Sequence, residues 1–352
     1  MSLRKWHRKY GYLSHPCRDF IANVRLTRNR ERKFLVVRAI GERPHFYGDF
    51  LNFLEQELPE VRTRFRLKLC RSIVHNWRQY VLCIPWVQDP VKERDHSLYR
   101  RLLNIERQCT RRGVPVANPV ERLSNSIKTT ATRLISEAGC RVAKIRPVGP
   151  LTLEARATEI GFPFFIREDR RHGGPTFLLN SEADLASVPW DRFRHPCAVE
   201  FIDTKFSDGL YRRYRYISAG DFGAPLNLMI GPHWLVRQAT ELRKKQHINE
   251  DIDYMSKPDS FAGQLQAARQ ALGFDFCAFD YSIDRNNELV VWEANPYPVL
   301  PIYDGEKYRH PAVKRGFAIM AAGYLQRAGL ELPEELMRML QGPVYRPARR
   351  DT

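Results

Sequence analysis

The chain has 352 residues, of which 43% are hydrophobic and 11% aromatic, a composition typical of a folded protein with a sizeable core. Its formal net charge is +17, and most of it lies in residues 1–130, which hold 27 Lys and Arg against 12 Asp and Glu. No apolar run reaches the ~18 residues of a membrane-spanning helix, and no apolar segment follows the basic N-terminus as in a secretory signal. The sequence therefore predicts a cytoplasmic protein without a membrane span.

The uneven charge favours an anionic partner, because positive charge this concentrated attracts acidic molecules. An acidic small molecule, an acidic peptide, an acidic glycan, a membrane surface and nucleic acid all fit that description. Zinc-finger spacing and RNA-recognition signatures are absent, which argues against nucleic acid. Seven scattered cysteines without a Cys-x-x-Cys pair indicate buried thiols in a reducing compartment, not a disulfide framework or a zinc site.

The first third of the chain predicts a basic arm at 1–33 and then a small α/β domain at 34–118. Strand and helix patterns alternate in this domain, as in small sheets that are covered by helices. The predicted strands lie at 34–40, 80–84 and 114–117, and the predicted helices lie at 50–58 and 97–112. Gly113 marks the end of the second helix.

Residues 119–203 predict one helix and then a small α+β unit. The elements are a helix at 126–138, a strand at 162–167 and a strand at 199–202. A basic loop after the first strand contains Gly173 and Gly174. Paired glycines let a backbone approach a phosphate, although the same pair also makes a plain turn.

Residues 204–340 predict strands, helices and a hairpin, and residues 341–352 form a polar tail. Residue polarity alternates along 211–220, as in a strand with one polar face, so Arg213 and Arg215 lie on the same face. Arg237 lies on the next predicted strand. The predicted helices of this region lie at 258–272, 311–328 and 333–340.

The clearest chemistry comes from the predicted hairpin. A buried strand at 278–281, a turn at 284–287 and a returning strand at 289–292 bring Asp280 close to Glu293 and Asn295. Two carboxylates and an amide oxygen suit Mg²⁺, which takes one or two carboxylates together with water and substrate phosphates. An ordinary acidic hairpin that stops at a proline is the alternative interpretation.

This hairpin resembles the metal-binding end of the ATP-grasp superfamily, which includes glutathione synthetase, D-alanine–D-alanine ligase and the ribosomal-protein glutamate ligases. In that family an acid is followed by a hairpin, then by Glu-x-Asn and a nearby proline, and Asp280, Glu293, Asn295 and Pro296 occupy those places. The resemblance runs from about residue 115 to about residue 325. It implies an α/β and α+β chain: an ATP-grasp fold with lobes at 119–203 and 204–340, preceded by a small Rossmann-like pre-grasp domain.

The same resemblance implies which residues bind the nucleotide. Lys128 would hold the α/β-phosphates. Arg167 stands where relatives have a second phosphate-binding lysine, so a planar guanidinium group replaces a compact ammonium group there. The glycine loop would cradle phosphates, the segment from Glu200 would bind adenine, and an acid after it would bind the ribose. The full implied set is Lys128, Arg167, His172, Gly173, Gly174, Glu200, Phe201, Ile202 and Asp203. A solvated helix lysine and a strand with an exposed glutamate are the alternatives.

The resemblance also implies that an arginine contacts the reacting phosphate or carboxylate. This arginine lies on a strand, a few residues before a glycine. Arg215 fits best, Arg213 is second and Arg237 is third. Some relatives have an arginine two residues before the metal-binding acid, but this chain has Ala278 there. Two solvated strand arginines are the alternative interpretation.

The implied function is an ATP-dependent carboxylate–amine ligase that works through an acyl phosphate and forms ADP and phosphate. It would use ATP and one or two Mg²⁺ ions, or Mn²⁺, on Asp280, Glu293 and Asn295. The substrate would be an anionic carboxylate or amine, and relatives are often homo-oligomers. A kinase of a small molecule or glycan on the same fold, and an inactive ATP-grasp binding module, are the alternatives.

Overall fold

The computed structural model describes residues 32–39, 47–87, 90–170, 173–237, 240–298, 300 and 307–341. The strands in these ranges are β1 (Lys33–Arg38), β2 (Phe65–Leu69), β3 (Tyr80–Pro85), β4 (Arg141–Val142), β5 (Ile145–Pro147), β6 (Phe164–Glu168), β7 (Thr176–Leu179), β8 (Pro196–Glu200), β9 (Tyr211–Ala219), β10 (Phe222–Gly231), β11 (Phe276–Ile283) and β12 (Leu289–Asn295). The helices are α1 (Tyr47–Glu57), α2 (Pro59–Arg62), α3 (Val91–Arg94), α4 (His96–Thr110), α5 (Lys128–Glu137), α6 (Leu153–Ile160), α7 (Lys245–Ser256), α8 (Ala262–Leu272), α9 (His310–Arg327) and α10 (Glu334–Gln341). In this described part of the chain, no helix is both long and apolar enough to cross a membrane.

Three parallel strands form the first sheet, in the order β2-β1-β3. β1 is apolar on both faces: Phe34 and Val36 pack with α1, and Leu35 and Val37 pack with α4. Parallel strands covered by helices on both faces have such continuous apolar runs. Apart from Lys33, the sheet lies within 34–118, and its role as a pre-grasp domain remains a prediction.

The second sheet has five strands in the order β10-β9-β11-β12-β4. Its first four strands are antiparallel, and β4 pairs with β12 in parallel. α5 and α8 cover one face through a core that includes Ala131 and Leu265. α9 lies directly on the other face, since a Cβ added at Gly323 would be 2.6 Å from the Cβ of Ala219.

Helix α9 also packs against the first sheet and against α1, which covers that sheet. The ring of Phe317 lies 5.8 Å from that of Phe50, and the ring of Tyr324 lies 6.2 Å from that of Phe65. One hydrophobic core therefore spans the first sheet, α9 and the five-stranded sheet.

The third sheet has four antiparallel strands in the order β5-β8-β6-β7. One face packs on α6 in a core of its own, with Phe164 and Ile166 at its centre. The other face carries Phe165 and Val199, which pack with Trp234 and Trp292. A cleft separates this four-stranded lobe from the five-stranded sheet.

Some predicted elements are wrong in detail. Arg237 does not lie on a strand, because β10 ends at Gly231 and the next residue, Pro232, has no N–H to continue a ladder. The segment 114–117 forms an isolated bridge between Val116 and Cys83 instead of a strand, since Pro115 interrupts it.

Among the elements that were not predicted, β2 and α7 have polar patterns. β2 alternates apolar residues with Arg66 and Lys68. The buried face of α7 consists of His247, Asp251 and Met255, so its helical period is carried mainly by polar residues. The predicted arm at 1–33 and the predicted tail at 341–352 lie almost wholly outside the described residues.

Asn118 joins the first sheet to the five-stranded sheet. Its φ of 49° is in the left-handed region, which asparagine tolerates better than most residues. The side-chain oxygen accepts the backbone N–H groups of Asp275 at 2.7 Å and Phe276 at 3.2 Å, and the side-chain nitrogen donates to the Phe276 carbonyl at 2.8 Å. The Asn118 N–H donates to the Asp275 carboxylate at 2.8 Å, so the two segments are held at four points.

Glu106 is a buried acid on α4. Its carboxylate accepts the Val120 N–H at 2.8 Å, and only 6% of the residue is exposed. Burial raises the pKa of Glu106 from 4.5 to about 7, although the Val120 hydrogen bond acts in the opposite direction. The pKa of Glu106 is higher in the folded protein than in the unfolded chain. Its contribution to the free energy of unfolding is therefore full below pH 4.5 and is lost as the pH rises through about 7.

We predict that Glu106→Gln removes this part of the pH dependence. A neutral carboxamide keeps an acceptor for the Val120 N–H and has no proton to lose. When the pH is raised from 4.5 to 8, the free energy of unfolding of the variant should therefore increase by roughly 3 kcal/mol relative to that of the parent. Urea unfolding of both proteins at several pH values measures the difference. Parallel stability curves for the two proteins would contradict the burial argument.

Candidate active site

Four polar residues form a row across the five-stranded sheet. Asn227 of β10 is in register with Arg215 of β9, Arg215 with Asp280 of β11, and Asp280 with Glu293 of β12. Residues directly opposite each other on antiparallel strands share one face of the sheet. We call these four residues the polar row. It lies on the face that α9 covers, because Gly316 of α9 lies over Ile217, two residues along β9 from Arg215.

The centre of the polar row is a two-pronged ion pair. The Nε of Arg215 donates to one oxygen of Asp280 at 2.7 Å, and Nη2 donates to the other at 2.9 Å. Burial alone would raise the pKa of Asp280, but the charges of Arg215 and Arg213 outweigh it and hold that pKa below its usual range. Asp280 is therefore ionised although only 4% of it is exposed.

Glu293, at the end of the polar row, faces two cations from different parts of the fold. The Nζ of Lys128, the first residue of α5, lies 3.9 Å from one carboxylate oxygen. The Nη2 of Arg167, on β6 of the four-stranded lobe, lies 3.9 Å from the other. Burial lowers the pKa of Lys128, and the charge of Glu293 counteracts this. The structure thus brings together three of the residues that the sequence singled out.

Asn295 follows Glu293 by two residues, so it lies on the same face of β12, and only 8% of it is exposed. With Asp280 it completes the predicted set of oxygen donors. Within the described ranges, no group of three or more His, Cys, Asp or Glu side chains is placed to hold a metal ion. The two-pronged contact with Arg215 leaves each oxygen of Asp280 a further lone pair. This donor set fits an ion that takes its remaining ligands from phosphates and water.

A cavity of about 150 Å³ opens beside Asp280 and Glu293, between the four-stranded lobe and the five-stranded sheet. Its apolar wall includes Phe165, Phe201 and Trp234. The Trp234 ring lies 4.9 Å from Phe165 and 5.5 Å, edge-on, from Phe201. Trp234 is not among the predicted site residues, and no local sequence pattern around it indicates this role.

The predicted adenine segment lies at the exit from β8. Ile202 and Phe201 line the cavity. The carboxylate of Glu200 instead accepts the Lys144 N–H at 2.8 Å, and the Glu200 N–H donates to the Lys144 carbonyl at 2.9 Å. Asp203 pairs with Arg285 at the hairpin turn and is not part of the cavity wall.

The predicted glycine loop joins β6 to β7 at the cavity edge. Gly173 and Gly174 have φ values of 74° and 101°, which side chains other than glycine's rarely adopt. Nη2 of Arg237 lies 3.4 Å from the Gly174 carbonyl and 3.5 Å from the Thr176 hydroxyl. His172 lies outside the described residues.

The predicted catalytic arginines have different surroundings. Arg215 is committed to Asp280, whereas Arg213 lines the cavity, and no carboxylate of the described part of the chain lies within ion-pair distance of it. Its Nη2 lies 3.0 Å from the Met229 sulfur. Arg213 therefore has a charge that a ligand in the cavity can neutralise.

The comparisons with known proteins agree with this architecture. No family model matches the sequence, and no curated protein matches it. The structure is similar to the D-Ala:D-Ser ligase VanG from Enterococcus faecalis, with 13% identity, 85% of this chain and 98% of that chain covered, and a TM-score of 0.50.

Two other solved structures have lower TM-scores. The ATP-grasp ligase PsnB, complexed with a phosphomimetic variant of its minimal precursor, Mg and ADP, is 13% identical, covers 89% of this chain and 98% of its own, and has a TM-score of 0.45. N5-carboxyaminoimidazole synthetase from Staphylococcus aureus is 14% identical, with 87% of this chain and 80% of that chain covered, and has a TM-score of 0.48. At 13% identity the likeness to VanG, with its TM-score of 0.50, concerns the fold, and the chain has the ATP-grasp fold.

Proposed function

We propose that this protein is an ATP-dependent carboxylate–amine ligase that forms ADP and phosphate. The observation that carries the proposal is the placement of Glu293 between Lys128 and Arg167, in register with Asp280 and beside an apolar cavity. Two carboxylates that face two cations suit a nucleoside triphosphate with its metal ion. The known structures with this fold that are named above include ligases, which supports the same reading.

The cavity suits the base of the nucleotide. Its aromatic and aliphatic wall would cover the faces of adenine, and the chain at Phe201 and Ile202 would meet the base edge. From there the phosphates would extend toward Lys128, Arg167 and the glycine loop. Two cations and backbone N–H groups are the donors that phosphates require.

Asp280, Glu293 and Asn295 would hold Mg²⁺, which supplies charge neutralisation at the phosphates when it is bound. The chain itself keeps these donors ready. Arg215 fixes the Asp280 carboxylate at both oxygens, and Lys128 and Arg167 each lie at ion-pair distance from Glu293. Arg215 is thus better suited to position the acid than to bind substrate.

In the proposed reaction a substrate carboxylate attacks the terminal phosphorus of ATP. An oxygen–phosphorus bond forms to give an acyl phosphate, and the bond to ADP breaks. The amine then attacks the acyl carbon, phosphate leaves with the carbon–oxygen bonding pair, and the amine gives up a proton to solvent. Arg213 would bind the incoming carboxylate and the charge that develops on it.

No side-chain nucleophile takes part in this scheme. Cys197, whose thiol is close enough to Arg167 and Lys128 to feel their charges, is fully buried, and burial raises its pKa to about 12. Such a thiol is a poor nucleophile at neutral pH. The excess of cations around the cavity instead favours an anionic acid as the substrate.

The proposal predicts ATP turnover that can be trapped. The purified protein is incubated with ATP, Mg²⁺, pooled acids and amines, and hydroxylamine, and the products are identified by mass spectrometry. We expect ADP together with a hydroxamate, whose mass names the acid. Glu293→Gln should lower turnover by about 100-fold or more, because one of the two carboxylates is lost. Glu288→Gln, at the exposed turn of the same hairpin, is the matched control and should keep full activity.

Other outcomes would change the conclusion. ADP with a phosphorylated product and no hydroxamate would support a kinase. A fully active Glu293→Gln variant would refute the metal assignment. ATP binding without turnover of any pooled substrate would support an inactive binding module, and absence of ATP binding would refute the proposal.

Substitutions of Arg213 and Arg215, both on β9, should have different effects. Arg213→Ala should lower turnover by about 100-fold with little loss of stability, because Arg213 contributes to the reaction and not to an ion pair. Arg215→Ala should lower the free energy of unfolding by about 3–5 kcal/mol, because it leaves the Asp280 carboxylate buried and uncompensated. Turnover assays and urea unfolding of both variants measure these effects.

Arg133→Ala removes an exposed arginine of a surface pair on α5 and is the control for both assays. It should change neither turnover nor stability measurably. Full turnover in Arg213→Ala would remove Arg213 from the proposed reaction, and an unchanged stability of Arg215→Ala would contradict the role given to the ion pair.

A further inference from the structure

The first turn of α5 is capped by a residue from another lobe. The residue before the helix, Ile127, has no side-chain acceptor for the free N–H groups of that turn. Asp169, just after β6, supplies one. Its Oδ1 accepts the Thr129 N–H at 2.9 Å, and its Oδ2 accepts the Thr129 hydroxyl at 3.0 Å.

The main chain of Asp169 strengthens this contact. Its carbonyl accepts the Lys128 N–H at 3.4 Å and the Lys128 ammonium at 3.3 Å. Its own N–H donates to the His195 carbonyl at 2.8 Å, next to the start of β8. Asp169 is thus held by the four-stranded lobe, and it holds the beginning of a helix that packs on the five-stranded sheet.

The contact lies between the two cations that face Glu293. Arg167 precedes Asp169 by two residues on the lobe side, and Lys128 precedes Thr129 on the helix side. Both cations lie 3.9 Å from Glu293, although they come from elements on opposite sides of the cleft. A shift of α5 relative to β6 would move one cation and not the other.

We propose that Asp169 is a positioning residue of the nucleotide site, which fixes Lys128 relative to Arg167 by capping α5 from across the cleft. This inference rests on the proposed function, because Asp169 acts through a lysine that binds phosphates. Asp169 itself makes no contact with the nucleotide in this scheme. Its effect is therefore on the triphosphate and not on the base.

The experiment compares the binding of MgATP and of adenosine by calorimetric titration, with adenosine measured in competition against MgATP. Asp169→Ala removes both side-chain acceptors. Asp169→Asn keeps an oxygen that accepts the Thr129 N–H, and its amide N–H can donate to the Thr129 hydroxyl. This variant should therefore keep the contact that Asp169→Ala loses. Thr129→Val removes the hydroxyl and keeps the backbone bond.

Asp184→Ala is the matched control. Asp184 also accepts two backbone N–H groups, from Asn180 and Ser181, and it lies in the same lobe at an exposed turn that does not line the cavity. The melting temperature of each variant without nucleotide shows whether it is folded.

We expect Asp169→Ala to weaken MgATP binding about tenfold, with adenosine binding changed by less than about twofold. Asp169→Asn and Asp184→Ala should stay near the parent, and Thr129→Val should be intermediate. Parent-like MgATP binding by Asp169→Ala, or an equal loss of MgATP and adenosine binding, would overturn the inference and leave the proposed function intact. A parent protein that binds neither ligand would overturn both.

Discussion

The buried ion pair between Arg215 and Asp280 is the interaction on which the candidate site depends. Each charge alone would be costly in a place so little exposed to water, and the two-pronged geometry compensates both. The pair also sets the protonation state, because it keeps Asp280 ionised despite its burial. Since Asp280 is in register with Glu293, the same strand pairing places the second carboxylate.

The surroundings of this pair carry more positive than negative charge. Among the described residues, the cations that line the cavity or face its two carboxylates are Lys128, Arg167, Arg212, Arg213, Arg215 and Arg237, and the anions of its wall are Asp280 and Glu293. Arg212 is also paired with Asp208 and Glu250 outside the wall. Like charges gathered in a low-dielectric cleft repel one another, and an anionic ligand relieves that repulsion. The cleft is therefore suited to a polyanion before any particular contact is considered.

Local features of the site were predictable from the sequence, and distant ones were not. The hairpin could be read from its turn residues, so the proximity of Asp280 and Glu293 followed from a short stretch of chain. The pairing of Arg215 with Asp280 depends on β9 lying beside β11, which are 65 residues apart at this point. Asp169 and Trp234 act across the cleft, and nothing near them in the sequence indicates their partners. Strand order and lobe packing are set by long-range contacts, which single-sequence patterns do not encode.

The link between Lys144 and Glu200 has a mechanical consequence. The chain enters the four-stranded lobe after β4 and leaves it after β8, and the two crossings are hydrogen-bonded to each other at these residues. That lobe has a core of its own, whereas the other two sheets share the core around α9. The two crossings therefore join separate cores, and their mutual hydrogen bonds hold the two chain segments at one spacing where they pass between those cores. The carboxylate of Glu200 belongs to this connection instead of the binding surface.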